Sequence, residues 1–178
     1  VKPATIPVRA LQFFLAALKD GNRDQFDAVI LEDRQARDCG NSMFEFAEAI
    51  NSFRQAVITH HGEKGWNRLV RDNWPELARP FGTMDDVQKI KQSASAAEVT
   101  FKNEKKTFLI KKGDRWFVDV VRSFEHDGNA LQMQPAELAA MLRELSAAVQ
   151  LVQSRLGRGE TASSAAQQFN AAMLTVLQ

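Results

Sequence analysis

The sequence predicts an α+β fold, with N-terminal helices packed on an antiparallel sheet and a C-terminal helical hairpin following it. Three observations predict this. Apolar residues recur at helical spacing over 8–18 and again over 46–57, the period falls to two between residues 98 and 121, and helical spacing returns from residue 138 onward. The expected division is 1–128 for the α+β domain and 129–178 for the hairpin.

The bulk properties suit a globular chain and exclude several classes. The chain has 178 residues, 44% apolar and 25% charged, enough to bury a core. Its net charge of +1 lacks the basic excess of a nucleic-acid binder, so no nucleic-acid partner is expected. No apolar run approaches the roughly 20 residues that span a bilayer. The best candidate, 10–18, is short and contains Gln12. A single cysteine, Cys39, cannot form an intrachain disulfide and assigns no redox compartment. The chain begins at Val1 without a charged-then-apolar leader. A cleaved signal or a trimmed chain would each account for this, and an exported protein is our expectation.

Taken in order, Pro7 opens the first helix, where its missing N–H costs nothing. Val8, Leu11, Phe14, Leu15 and Leu18 then follow at helical spacing, and Gly21 stops it. A short turn over 22–31 carries Phe26, Val29 and Ile30, and a polar stretch over 32–41 follows. Ser42 with Glu45 fits a capping box, so the next helix is expected from there to Gly62, with Phe46, Ile50, Phe53 and Val57 as its stripe. Short helices carrying Trp66, Leu69, Val70, Trp74, Leu77 and Phe81 are expected next, broken by Pro75 and Pro80. Over 85–93 the spacing of Val87 and Ile90 suits a helix, and a short strand fits as well.

Strands are expected over 98–101, 107–111 and 115–121, at least a three-stranded meander, with a Lys112-Gly113-Asp114 turn between the last two. A two-residue loop there puts Asp119 on the face of Phe108; a three-residue loop puts it beside Thr107. After a polar stretch over 123–129, Pro135 and Glu137 start a helix whose stripe is Leu138, Leu142, Leu145, Val149, Val152 and Leu156. Gly157 and Gly159 break it, and a last helix over 163–177 carries Ala166, Phe169, Met173 and Val176. These two stripes are expected to fold residues 130–178 onto the core or onto each other.

Three stretches carry a resemblance: ALQFFLAALKDGNRDQF at 10–26, AEVTF at 97–101 and KGDRWFVD at 112–119. Over roughly residues 5 to 121 the chain resembles the nuclear transport factor two-like superfamily, the cone-shaped α+β fold shared with ketosteroid isomerases. The helical tail departs from the compact form and is similar to an extension of some uncharacterised bacterial members. The resemblance implies a curved sheet and a ligand-binding pocket between it and the helices. It does not imply a reaction.

Isomerase-like members use an acidic residue in the cone as general base, which makes Asp119 the candidate here, with Asp114 beside it. Those members pair the base with a Tyr donor, and this chain contains no Tyr. Asp114 is otherwise a turn residue and Asp119 a strand carboxylate near Lys111 and Arg115. Trp116, Phe117 and His60 are the candidate ligand-binding residues. Adjacent His60 and His61 lack the i, i+4 spacing of metal ligands, and His126 lies far along the chain, so neither metal nor cofactor is expected. Cys39, in an expected loop before Gly40, has no neighbouring His to activate it.

Lys102, Lys105, Lys106, Lys111, Lys112 and Arg115 alternate with Phe101, Phe108 and Trp116, a combination used on single-stranded nucleic acids. Glu98, Glu104, Asp114 and Asp119 interrupt that charge, and a solvated sheet edge is the better account. Three functions fit: a non-enzymatic module binding a small ligand or a partner protein; a metal-independent acid–base enzyme of isomerase, dehydratase or cyclase type; and an assembly role in which the leucine stripe makes a homodimer. The first is the expectation.

Overall fold

The computed structural model describes residues 4–73, 82–125, 134–156, 164, 167–168 and 170–171. The expected helices around Pro75 and Pro80, His126, the break at Gly157 and most of the last helix lie outside them. The fold is α+β, with helices and an open four-stranded antiparallel sheet. Contacts divide the chain into two compact units, Val1–Phe44 with Phe81–Ala139, and Glu45–Pro80 with Ala140–Gln178. No helix among the described residues is long and apolar enough to cross a membrane.

Helix α1 (Pro7–Asp20) starts and stops where the sequence predicts, with Gly21 in the left-handed region at its end. Helix α2 (Arg23–Asp27) is capped by Asn22, whose side chain accepts from Gln25 N at 3.0 Å. Helix α3 (Arg34–Asn73) begins earlier than expected. Its cap is Asp33, which accepts from Ala36 N at 2.9 Å. Ser42 is therefore no cap. It is buried inside the helix and donates to the Asp38 carbonyl four residues back. Cys39, expected in a loop, is likewise a buried helical residue, and its thiol donates to the Pro135 carbonyl at 3.0 Å. Asp33→Ala is expected to cost about 1 kcal/mol, measured by urea denaturation.

After a 3-10 turn over Met84–Asp86, the sheet runs β1 (Val87–Gln92), β2 (Ala96–Phe101), β3 (Lys106–Lys112) and β4 (Arg115–Asp119), in spatial order β1-β2-β3-β4. The open choice over 85–93 resolves as strand. The last hairpin takes the two-residue loop, Gly113-Asp114, with Lys112 opposite Arg115 and Phe108 opposite Asp119. Gly113 has φ +59°, as the first position of such a loop requires in the II′ form.

Register assigns the faces. Ala97, Val99, Phe101, Leu109, Trp116 and Val118 share one face and are all buried, and α1 packs against β4. The opposite face carries Glu98, Phe108, Phe117 and Asp119. There the polar stretch expected from residue 123 is in part helix α4 (Val120–Glu125), which packs on β3. The outer edge of β4 is closed by the chain itself. Trp116 N donates to Ala4 O, Val118 N to Val29 O, and Leu31 N to Val118 O. Those bonds occupy donors and acceptors that would otherwise template another strand.

The described residues of the second unit are helical. Gly62, with φ +69° and ψ 173°, breaks α3 into two helical runs. Phe53 and Trp66 are 13 residues apart, about 20 Å along a straight helix. Their ring centroids lie 6.2 Å apart, so the chain reverses at Gly62. Helix α5 (Pro135–Leu156) supplies the third side, and Val149, Val152 and Leu156 join Ala49, Ile50, Phe53, Val57, Trp66, Leu69 and Val70 in one buried cluster. All six residues of the leucine stripe are buried.

Candidate functional site

Of the candidate residues, Asp119 and Phe117 lie together, where β4 leads into α4. The turn is made by Asp119 and Ser123. The Asp119 carboxylate accepts from Arg122 N at 3.0 Å, a helix-capping bond. Its carbonyl, which would otherwise receive the Phe108 N–H across the ladder, accepts from Ser123 Oγ at 2.6 Å. Ser123 Oγ in turn accepts from Phe108 N at 2.9 Å. A hydroxyl is thus inserted between the last pair of the sheet, and the strand can leave as a helix with both backbone groups satisfied.

Two cations lie over the two aromatics of this face. The Arg122 guanidinium carbon sits 4.6 Å from the Phe108 ring centroid, and that of Arg115 sits 5.1 Å from Phe117. Arg115 also donates to the Ala28 carbonyl at 2.9 Å, while its buried Nε lacks a hydrogen-bond partner. Further along, Glu98 accepts Lys106 Nζ at 3.0 Å, with Lys91 Nζ 3.9 Å from the same oxygen.

Asp119 and Phe117 therefore share a face, whereas Trp116 is buried on the other side of the same strand. Asp114 is exposed in the turn. His60 belongs to the helical unit, exposed just before Gly62, its ring 6.4 Å from that of His61. Of the basic hairpin, Lys102 and Lys105 are exposed in the β2–β3 loop and Lys106, Lys111 and Lys112 lie on β3. Phe101, Phe108 and Trp116 are buried, so the aromatics between those lysines are not available for base stacking. Among the described residues no group of three or more His, Cys, Asp or Glu side chains is placed to hold a metal ion.

Two features escaped the sequence. One is the Ser123 hydroxyl, whose role depends on a six-residue helix that leaves no periodic signal. The other is the exposure of β1 along both faces after its first residue; the strand itself was one of the two readings left open over 85–93.

The fold and these residues define an α+β protein in which one sheet face, carrying Phe108 and Phe117 beside Glu98 and Asp119, ends in a capped strand-to-helix turn. No family model matches the chain, and neither a curated protein nor a solved structure does.

Proposed function

We propose that this chain is a non-enzymatic module of the nuclear-transport-factor-two-like type, binding a small ligand or a partner protein. The observation that carries the first part is the engagement of Asp119. General-base catalysis needs a carboxylate aimed at substrate and a donor for the charge that develops. The Asp119 carboxylate instead caps α4 through Arg122 N, and the chain has no Tyr to serve as the donor the superfamily uses. The family part is supported by the order of elements, helices α1 to α3 and then an antiparallel meander ending in the KGDRW hairpin. In this assignment the N-terminal helices pack on a curved sheet, and the helical tail is the extension beyond it.

The test is a screen of isomerase, dehydratase and cyclase substrates against the wild type and Asp119→Asn. Asn keeps a capping oxygen, so the fold is retained. The expected result is no turnover by either protein. Turnover by the wild type would overturn the non-enzymatic assignment, and its loss in Asp119→Asn would identify the base.

A further inference from the structure

The two edges of the sheet are treated in opposite ways. The β4 edge is closed by Ala4, Val29 and Leu31. Among the described residues, the β1 edge is bonded only on its inner side. Phe101 N donates to Lys105 O and Lys111 N to Ser95 O, so the odd residues of β2 turn their backbone groups to β3. Glu98 and Thr100 therefore face β1, bonding Lys91 and Lys89, their register partners. By the same alternation Ile90 and Gln92 direct their N–H and C=O groups out of the sheet. Ser93 N, which donates inward to Ala96 O at 2.8 Å, fixes the phase independently. Among the described residues nothing bonds to those outward groups.

The side chains of this edge carry one sign of charge. The strand reads VQKIKQ, with two lysines and no acid. Lys89 pairs with no carboxylate among the described residues, and the only acid near Lys91 is the Glu98 oxygen that Lys106 already holds more closely. Lys89 and Lys91 share one face, and Ile90, 36% exposed, lies on the other. A second copy of the chain fits poorly here. Antiparallel self-pairing with Ile90 opposite Ile90 sets Lys89 against Lys91, and with Ile90 opposite Gln92 it sets Lys91 against Lys91, like charges directly opposed.

We propose that the β1 edge is a docking site for an extended acidic segment of a partner protein, which adds to the sheet as a fifth strand. Its outward backbone groups at Ile90 and Gln92 supply the hydrogen bonds. Its lysines select a segment with carboxylates at positions i and i+2, and Ile90 selects an apolar residue between them. This rests on the binding-module assignment and names the partner's chemistry.

The probe is a fluorescein-labelled, end-capped peptide of sequence TVEVEVT, with TVKVKVT as its counterpart, titrated against the full chain and read by anisotropy. Saturable binding of TVEVEVT and none of TVKVKVT is expected. Lys89→Glu with Lys91→Glu should weaken TVEVEVT binding about tenfold, from two cross-strand pairs turned from attraction to repulsion. Ile90→Pro removes an outward N–H without touching an inner bond, a place where an edge strand tolerates Pro, and should abolish binding. A TVEVEVT peptide N-methylated on its docking side should also fail to bind, with the protein unaltered. In amide exchange the bound peptide should slow Ile90 and Gln92. Absence of TVEVEVT binding, equal binding of TVKVKVT, or binding unaffected by Ile90→Pro and by N-methylation would overturn the proposal. So would a dimer in sedimentation that Ile90→Pro dissociates, since a second copy would then own the edge. None of these results depends on turnover, so failure here and failure of the non-enzymatic assignment are read separately.

Discussion

Trp116→Ala is expected to destabilise the protein by about 3–5 kcal/mol, the range for truncating a fully buried large aromatic. Trp116 is only 2% exposed and stands on the sheet face that also buries Val99, Leu109 and Val118. Its own N–H bonds Ala4 O on one side of the strand, and its neighbours Arg115 and Phe117 pair with Lys112 and Ile110 on the other, so the strand cannot easily collapse into the space left. A poorly relaxing site sits at the upper end of the cavity cost. Urea denaturation followed by far-UV circular dichroism measures it. A midpoint within experimental error of the wild type would show that the indole anchors nothing.

Gly62→Ala carries the next largest effect, about 1–3 kcal/mol. The pair φ +69°, ψ 173° falls in a region that only glycine occupies freely. A Cβ added there meets nothing within 4 Å, so the cost is one of backbone strain and not of crowding. The chain can relieve that strain only by losing the reversal, which would part Phe53 from Trp66 and open the cluster they share with Val149 and Leu156. Both routes destabilise. Urea denaturation with near-UV circular dichroism distinguishes them, since strain alone leaves the aromatic signal intact while straightening diminishes it. Unchanged stability would mean that the reversal does not need the glycine.

Much of the fold was legible because its elements keep a single period for long enough. Helix α1 and the stripe of α5 run several turns with few exceptions, and the KGD turn announces itself, although its register stayed open between a two- and a three-residue loop until the structure chose the first. The failures have local physical causes. Ser42 and Glu45 satisfy the spacing of a capping box, but that spacing also occurs inside helices, where a serine bonds the carbonyl four residues back. Val87 and Ile90 are three apart, as on a helix. The register shift between Val87 and Lys89 adds a residue to β1, and it puts both opposite Phe101 and Val99, on one sheet face. Helix α4 is too short for periodicity to reveal. Without it Asp119 looks like an unassigned strand carboxylate, and its capping role could not be read. The exposure of β1 was hidden with it, because alternation is the signal by which an edge is recognised.

The threading of the chain through its two compact units has a consequence for synthesis. Each unit is made of two stretches separated in sequence by material belonging to the other. On the ribosome the helical stripe of Ile50, Phe53 and Val57 emerges long before Val149, Val152 and Leu156, with which it is finally buried. At 5–20 residues per second the wait is on the order of ten seconds. Ala4 is exported from the tunnel early and holds an acceptor for Trp116, which arrives more than a hundred residues later. Neither unit can be completed by the first half of the chain alone. The nascent protein therefore passes through a period in which its largest apolar stripes are accessible to chaperones, to proteases and to other nascent copies, and that period ends only when α5 has been made.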